Sequence, residues 1–184
     1  MKKVFFDMDG VLAEYRNGCT ENDMKKKGYF SSLKPEINMI NALMRLAEDS
    51  DKLGMQVCVL TKVYPSRFKY SVREKLEWRD EYLPDLFDSE FVMVNGEEQE
   101  KSEAVCDLTG GAINEDCFLI DDYNPNLAEW IKNGGSAVKY VNKINDKNRS
   151  FVGNRILHTM SEDEIYTYIV SMLNGTTTPT NAAA

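Results

Sequence analysis

Short apolar runs and longer amphipathic stretches alternate along this chain. Residues 4–6 run into Asp7, 56–60 into Thr61, 91–94 into Asn95, 117–120 into Asp121 and 137–141 into Asn142. Nearly continuous apolar runs of this length suit parallel strands that are covered on both faces. Between them the period changes. Ile37, Ile40, Leu43, Met44 and Ala47 recur at helical spacing behind Pro35, a good first-turn residue. The pattern predicts further helices from near Ser66 (with Val72, Leu76 and Trp78), around Lys101, and after Asn124 with Pro125 in the first turn. A last helix follows Ser161, where Ser161 and Glu164 have capping-box spacing ahead of Ile165, Tyr168, Ile169 and Leu173. This alternation predicts an α/β fold, a Rossmann-like three-layer sandwich with a parallel sheet, as one domain over 1–174. Residues 14–33 break the pattern. They are polar, with Lys25-Lys26-Lys27 and then Gly28-Tyr29-Phe30, and are read as a minimal cap inserted after the first strand. The tail, 175–184, has no periodicity and is expected to be disordered.

Length and charge narrow the function. A chain of 184 residues suits one domain with a sizeable core. No apolar run approaches the roughly 20 residues that span a bilayer. The opening Lys2-Lys3-Val4-Phe5-Phe6 is stopped by Asp7 and Asp9, so it reads as a buried strand rather than a secretory leader, and the expected location is cytoplasmic. With 30 acidic against 22 basic residues the net charge is −8, which argues against a nucleic-acid polymer as partner. It leaves room for a small phosphorylated substrate held through a cation. Cys19, Cys58, Cys106 and Cys117 form no CxxC pair, and Cys58 and Cys117 sit inside apolar runs, so free buried thiols are expected. His158 has no partner motif.

The candidate chemistry lies at the strand ends, where open parallel sheets bind their ligands. One run ends in Asp7-Met8-Asp9-Gly10, another in Thr61 and a third in Asp121-Asp122. Carboxylates gathered at one edge repel one another unless a cation sits among them. A hard divalent cation with oxygen ligands answers that need, and Mg2+ is the expected ion. A carboxylate nucleophile beside such an ion suits phosphoryl transfer. A hydroxyl and an ammonium are then needed for the phosphoryl oxygens. Thr61 offers the first and Lys101 the second, with Lys75 as a rival by position.

These residues, in this order from about Val4 to Asn126, resemble the four-motif pattern of the haloacid-dehalogenase-like (HAD) hydrolase superfamily. The resemblance implies that Asp7 is the nucleophile and a metal ligand. Asp9 would be the general acid and base, giving its backbone carbonyl to the metal. Thr61 and Lys101 would hold the phosphoryl group, and Asp121, supported by Asp122, would complete the metal shell. An aspartate at position 9 implies a phosphatase rather than a dehalogenase or a transport ATPase. The stretches from Phe6 to Tyr15 and from Gly28 to Pro35 are similar to the opening and the Gly-Phe-Phe segment of the 5′(3′)-deoxyribonucleotidases, which implies a nucleotide monoester as substrate. That family's Thr-Ser-Pro is replaced here by Thr61-Lys62-Val63-Tyr64-Pro65, and its Arg-Asp-Lys is missing. Two alternatives stay open: a phosphatase for a large substrate reached through an open site, and a non-catalytic binding module on the same fold.

Overall fold

The computed structural model describes residues 1–145 and 150–176. Among the described residues six strands, β1 (Lys2–Phe6), β2 (Met55–Val63), β3 (Phe91–Asn95), β4 (Cys117–Asp121), β5 (Ser136–Val141) and β6 (Asn154–Leu157), form one sheet. Their order is β3-β2-β1-β4-β5-β6, and every neighbouring pair is parallel. The helices are α1 (Glu21–Met24), α2 (Ile37–Glu48), α3 (Ser50–Leu53), α4 (Ser71–Tyr82), α5 (Lys101–Thr109), α6 (Asn124–Lys132) and α7 (Glu162–Leu173). The expected α/β architecture with a parallel sheet is the one observed.

The alternation of side chains along a strand divides the core into two layers. Val4, Phe6, Val57, Val59, Phe118 and Ile120 join Leu43 and Leu46 of α2 and Ile165 and Ile169 of α7 in one buried cluster. Phe5, Cys58, Leu60 and Leu119 join Ala104 and Val105 of α5 and Leu127 and Trp130 of α6 in the other. Phe5 meets the Trp130 ring edge-on at 5.4 Å, and the indole N–H donates to the Cys117 carbonyl at 3.0 Å. Covering both faces explains why the strands read as continuous apolar runs instead of alternating ones.

Several boundaries differ from the sequence expectation. β2 extends to Val63, so Thr61 lies inside the strand rather than at its end. The helix expected near Ser66 begins at Ser71. Before it, the Tyr64 carbonyl accepts the N–H groups of Arg67 and Phe68 in a turn that sets the Phe68 ring beside Phe30 and Tyr64. β6 was not legible because only Ile156 of its four residues is buried. Residues 14–33 carry only α1 and turns, yet their end is anchored, with Tyr29, Phe30 and Leu33 in the core. Lys25, Lys26 and Lys27 are exposed, the first two paired with Glu21 and Asp23. Gly175 and Thr176 close the end of α7, and residues 177–184 of the expected disordered tail lie outside the described residues. Cys58 and Cys117 are buried free thiols, whereas Cys19 and Cys106 are half-buried. Among the described residues no helix is long and apolar enough to cross a membrane.

Candidate active site

The chain winds outward from β1 through β2 to β3 on one side and from β4 through β5 to β6 on the other, so the carboxyl ends of β1 and β4 flank a crevice where the winding reverses. Asp7 follows β1, with its N–H on the Ile120 carbonyl at 2.9 Å, and Asp121 ends β4. Lys101, the first residue of α5 and fully buried, joins them. Its ammonium donates to Asp7 Oδ1 and to Asp121 Oδ2, each at 2.7 Å. Asp121 is held further by the Tyr123 N–H at 2.8 Å and by Asn126 Nδ2 at 2.9 Å. One oxygen from each of Asp7, Asp121 and Asp122 lies within 4.8 Å of the others.

The segment after Asp7 is shaped by its own hydrogen bonds. The Met8 carbonyl accepts the N–H groups of Leu12 and Ala13 at 3.0 and 2.8 Å, and Met8, Val11, Leu12 and Ala13 are fully buried. This turn carries Asp9 to a second buried lysine. Lys75 of α4 donates to the Asp9 carboxylate, to Thr61 Oγ1 at 2.7 Å and to the Lys62 carbonyl at 2.8 Å. The other oxygen of Asp9 is buried without a hydrogen-bond partner. The two lysines therefore divide the site. Lys101 serves Asp7 and Asp121; Lys75 serves Asp9 and Thr61. Both lysines of the sequence expectation thus reach the site, each on its own partners.

The electrostatics follow from burial. Asp7 is pushed up to about 7, chiefly by loss of water and further by the charges of Asp121 and Asp9, with Lys101 and Lys75 pulling the other way. Asp122 is pushed up to about 8 by burial and by Asp121 and Asp7, against a hydrogen bond from Asn142. Burial works against the charge on Lys101, but Asp121 and Asp7 outweigh it and raise its pKa. The cluster is thus short of positive charge even with its lysines. Three hard carboxylate oxygens within reach of one another and undercompensated fit a divalent cation such as magnesium. The Asp9 carboxylate stands apart from this trio, on Lys75; the sequence had assigned Asp9 to the metal through its carbonyl.

Over these groups lies a cleft of about 600 Å³. Asp7, Asp9 and Lys75 line its floor, with Tyr15, Tyr29 and Phe30 from residues 14–33 and Tyr64, Arg67 and Phe68 from the β2–α4 connection.

No protein-family model matches the chain, and no curated protein sequence is significantly similar to it. Solved structures are similar. The D,D-heptose 1,7-bisphosphate phosphatase of B. bronchiseptica, complexed with magnesium and phosphate, superposes with a TM-score of 0.60 at 10% identity, over 94% of this chain and 99% of that one. The enzyme of the same name from Burkholderia thailandensis gives 0.60 at 13% identity, over 93% and 99%. A HAD-superfamily hydrolase from Ehrlichia chaffeensis gives 0.54 at 12%, over 96% and 98%. The fold is HAD-like.

Within this HAD-like fold, the structure brings Asp7, Asp9, Thr61, Lys101, Asp121 and Asp122 to one edge of the sheet. It also adds residues that the sequence reading passed over. Asn142, just after β5, donates from Nδ2 to the Gly10 carbonyl at 3.0 Å and to Asp122 Oδ2 at 2.9 Å. Its signal was present, since it follows an apolar run as Asp7 and Asp121 do. Lys139, buried within β5, donates to the Asp122 carbonyl. A lysine inside an apolar strand run was the available clue.

Gly10 shows how tightly the crevice is built. Its φ is +83°, and a Cβ there would lie 2.5 Å from Asp122 Oδ2. Gly10→Ala should cost about 1–3 kcal/mol of stability from the strained backbone and displace the Asp122 carboxylate. Thermal melts with and without magnesium will check both effects. Unchanged melting and an unchanged magnesium response would show that the loop tolerates the methyl group.

Proposed function

We propose that this chain is a magnesium-dependent phosphatase that forms an aspartyl-phosphate on Asp7 and acts on a small phosphate monoester, a nucleoside monophosphate by preference. The observation that carries the reading is the Asp7–Lys101–Asp121 bridge at the crevice between β1 and β4, with Asp9 two residues beyond Asp7. The related fold solved with magnesium and phosphate supports it.

In the first step an Asp7 oxygen bonds to phosphorus and the bond from phosphorus to the ester oxygen breaks. The leaving oxygen keeps the electron pair and takes a proton from Asp9. In the second step a water gives a proton to Asp9 and its oxygen attacks phosphorus. The bond between phosphorus and Asp7 breaks, freeing inorganic phosphate and restoring both carboxyl groups. Lys101 favours the ionised form of Asp7 against its burial. Lys75 and Thr61 hold non-bridging phosphoryl oxygens and orient Asp9. Asp7, the Asp9 carbonyl and, directly or through water, Asp121 would hold magnesium, with Asp122 in support, and the ion would neutralise charge on the phosphoryl oxygens.

The cleft supports a small, ring-bearing substrate. About 600 Å³ suits a small molecule. Tyr15 and Tyr123 border it with 40% and 61% of their surface exposed, free to stack on a ring, whereas Tyr29 and Phe30 form a packed wall. Residues 14–33 act as the cap. Four free cysteines favour a reducing, cytoplasmic setting.

Phosphate release from a panel of monoesters with magnesium tests the reading. A nucleoside monophosphate is expected to exceed glycerol phosphate in kcat/KM by about 10-fold or more, the worth of one good stacking contact. Release from no ester in the panel would refute the phosphatase. Release without preference would refute the nucleotide.

A further inference from the structure

A buried carboxylate ties residues 14–33 to the site. Glu74 is 3% exposed, and among the described residues it is the one buried glutamate. Its two oxygens accept backbone N–H groups from the insertion, Oε1 from Gly28 at 2.6 Å and Oε2 from Phe30 at 3.0 Å. Burying a carboxylate is costly unless its oxygens are satisfied, and an apolar side chain at this position could satisfy neither N–H. Gly28 has φ of +85°, a conformation that lets the chain turn and direct both N–H groups at one acceptor.

The position of Glu74 on α4 gives the contact a consequence. The next residue, Lys75, holds Asp9 and Thr61. One helical turn on, Trp78 donates its indole N–H to the Leu33 carbonyl at 2.9 Å. α4 therefore clamps both ends of the 28–33 segment while presenting Lys75 to the phosphoryl end. Between the clamps, the Tyr29 and Phe30 rings meet edge-to-face at 5.0 Å, and the Lys75 ammonium lies 5.5 Å from the Phe30 ring centre.

We infer that Glu74 is a positioning residue that holds the Tyr29–Phe30 wall in register with Lys75 and so selects the leaving group the cleft accepts. It touches neither substrate nor metal. It sets the distance between the aromatic part of the cleft and the reacting end, so a ring-bearing ester depends on it and a ringless one does not. The selection rests on the phosphatase reading; the anchoring does not.

The test compares Glu74→Gln and Glu74→Ala with the unsubstituted protein. Amide exchange at Gly28 and Phe30 should accelerate by about 10-fold or more in Glu74→Ala and less in Glu74→Gln, which keeps one acceptor, with Leu33 little changed. KM for a nucleoside monophosphate should rise about 10-fold at nearly constant kcat, with Glu74→Gln intermediate, while glycerol phosphate hydrolysis stays within about twofold. Equal loss on both esters would reduce Glu74 to a fold contact and overturn the inference, as would unchanged exchange together with unchanged KM. If the unsubstituted protein hydrolyses no ester, the phosphatase reading has failed. Exchange then decides, faster exchange upholding Glu74 as the anchor of the wall and unaltered exchange overturning it.

Discussion

Asp7→Asn is expected to release no phosphate, a loss of at least about 10⁴-fold in kcat, because the bond-forming oxygen has lost its charge and its nucleophilicity. Asp9→Asn should behave differently. Its amide can neither protonate the leaving oxygen nor deprotonate water, so turnover should fall by about 10²–10⁴-fold. Asp7 and the residue 9 carbonyl remain in place. Given p-nitrophenyl phosphate, whose leaving group needs little protonation, Asp9→Asn should complete the first step and stall at the second. Mass spectrometry of the quenched protein should find phosphate on Asp7, or rapid mixing should show a burst before slow turnover. Asp7→Asn should show neither. The geometry motivates the contrast, since Lys101 meets Asp7 and Lys75 meets Asp9. Normal turnover by Asp7→Asn, or phosphate on another residue, would show that the nucleophile lies elsewhere.

Chelation of magnesium should lower activity by about 10³-fold or more, the worth of several kcal/mol of charge stabilisation, and replacement should restore it. The same cluster predicts a pH dependence that needs no activity measurement. Without metal, Asp7 and Asp122 titrate near 7 and 8 in the folded chain, against about 4 when unfolded. Between those limits the folded state binds more protons than the unfolded state, so the stability these groups contribute is fully present below about pH 4. It is lost as pH rises through 7 and 8. Magnesium reverses the trend, because it binds the ionised carboxylates and displaces their protons. Melting temperature in chelator should therefore fall from pH 5 to 8.5, while the increment from magnesium grows. Asp122→Asn should flatten both slopes. A magnesium increment that does not vary with pH, or a slope untouched by Asp122→Asn, would mean that these carboxylates do not titrate on the metal site.

The sheet and most of the chemistry could be read from the linear chain for a local reason. Strands buried on both faces must be apolar throughout, so a charged residue directly after such a run stands out. That rule exposed Asp7, Asp121 and Asp122; Asn142 also follows an apolar run but carries no charge, so it did not stand out. The Ser161 cap of α7 was legible in the same way, since both partners lie within one turn. β6 was not, because a four-residue edge strand with one buried side chain carries no pattern. Nor was the start of α4, which the aromatic packing of Phe68 delays. The pairing of the two lysines depended on three-dimensional proximity. Lys101 reaches Asp7 across 94 positions and Lys75 reaches Asp9 across 66. A lysine on a helix looks solvated until packing removes its water. Glu74 is the sharpest case. Nothing in its neighbourhood marks it, and its meaning comes from two backbone N–H groups more than 40 residues away that only the folded chain brings to its carboxylate.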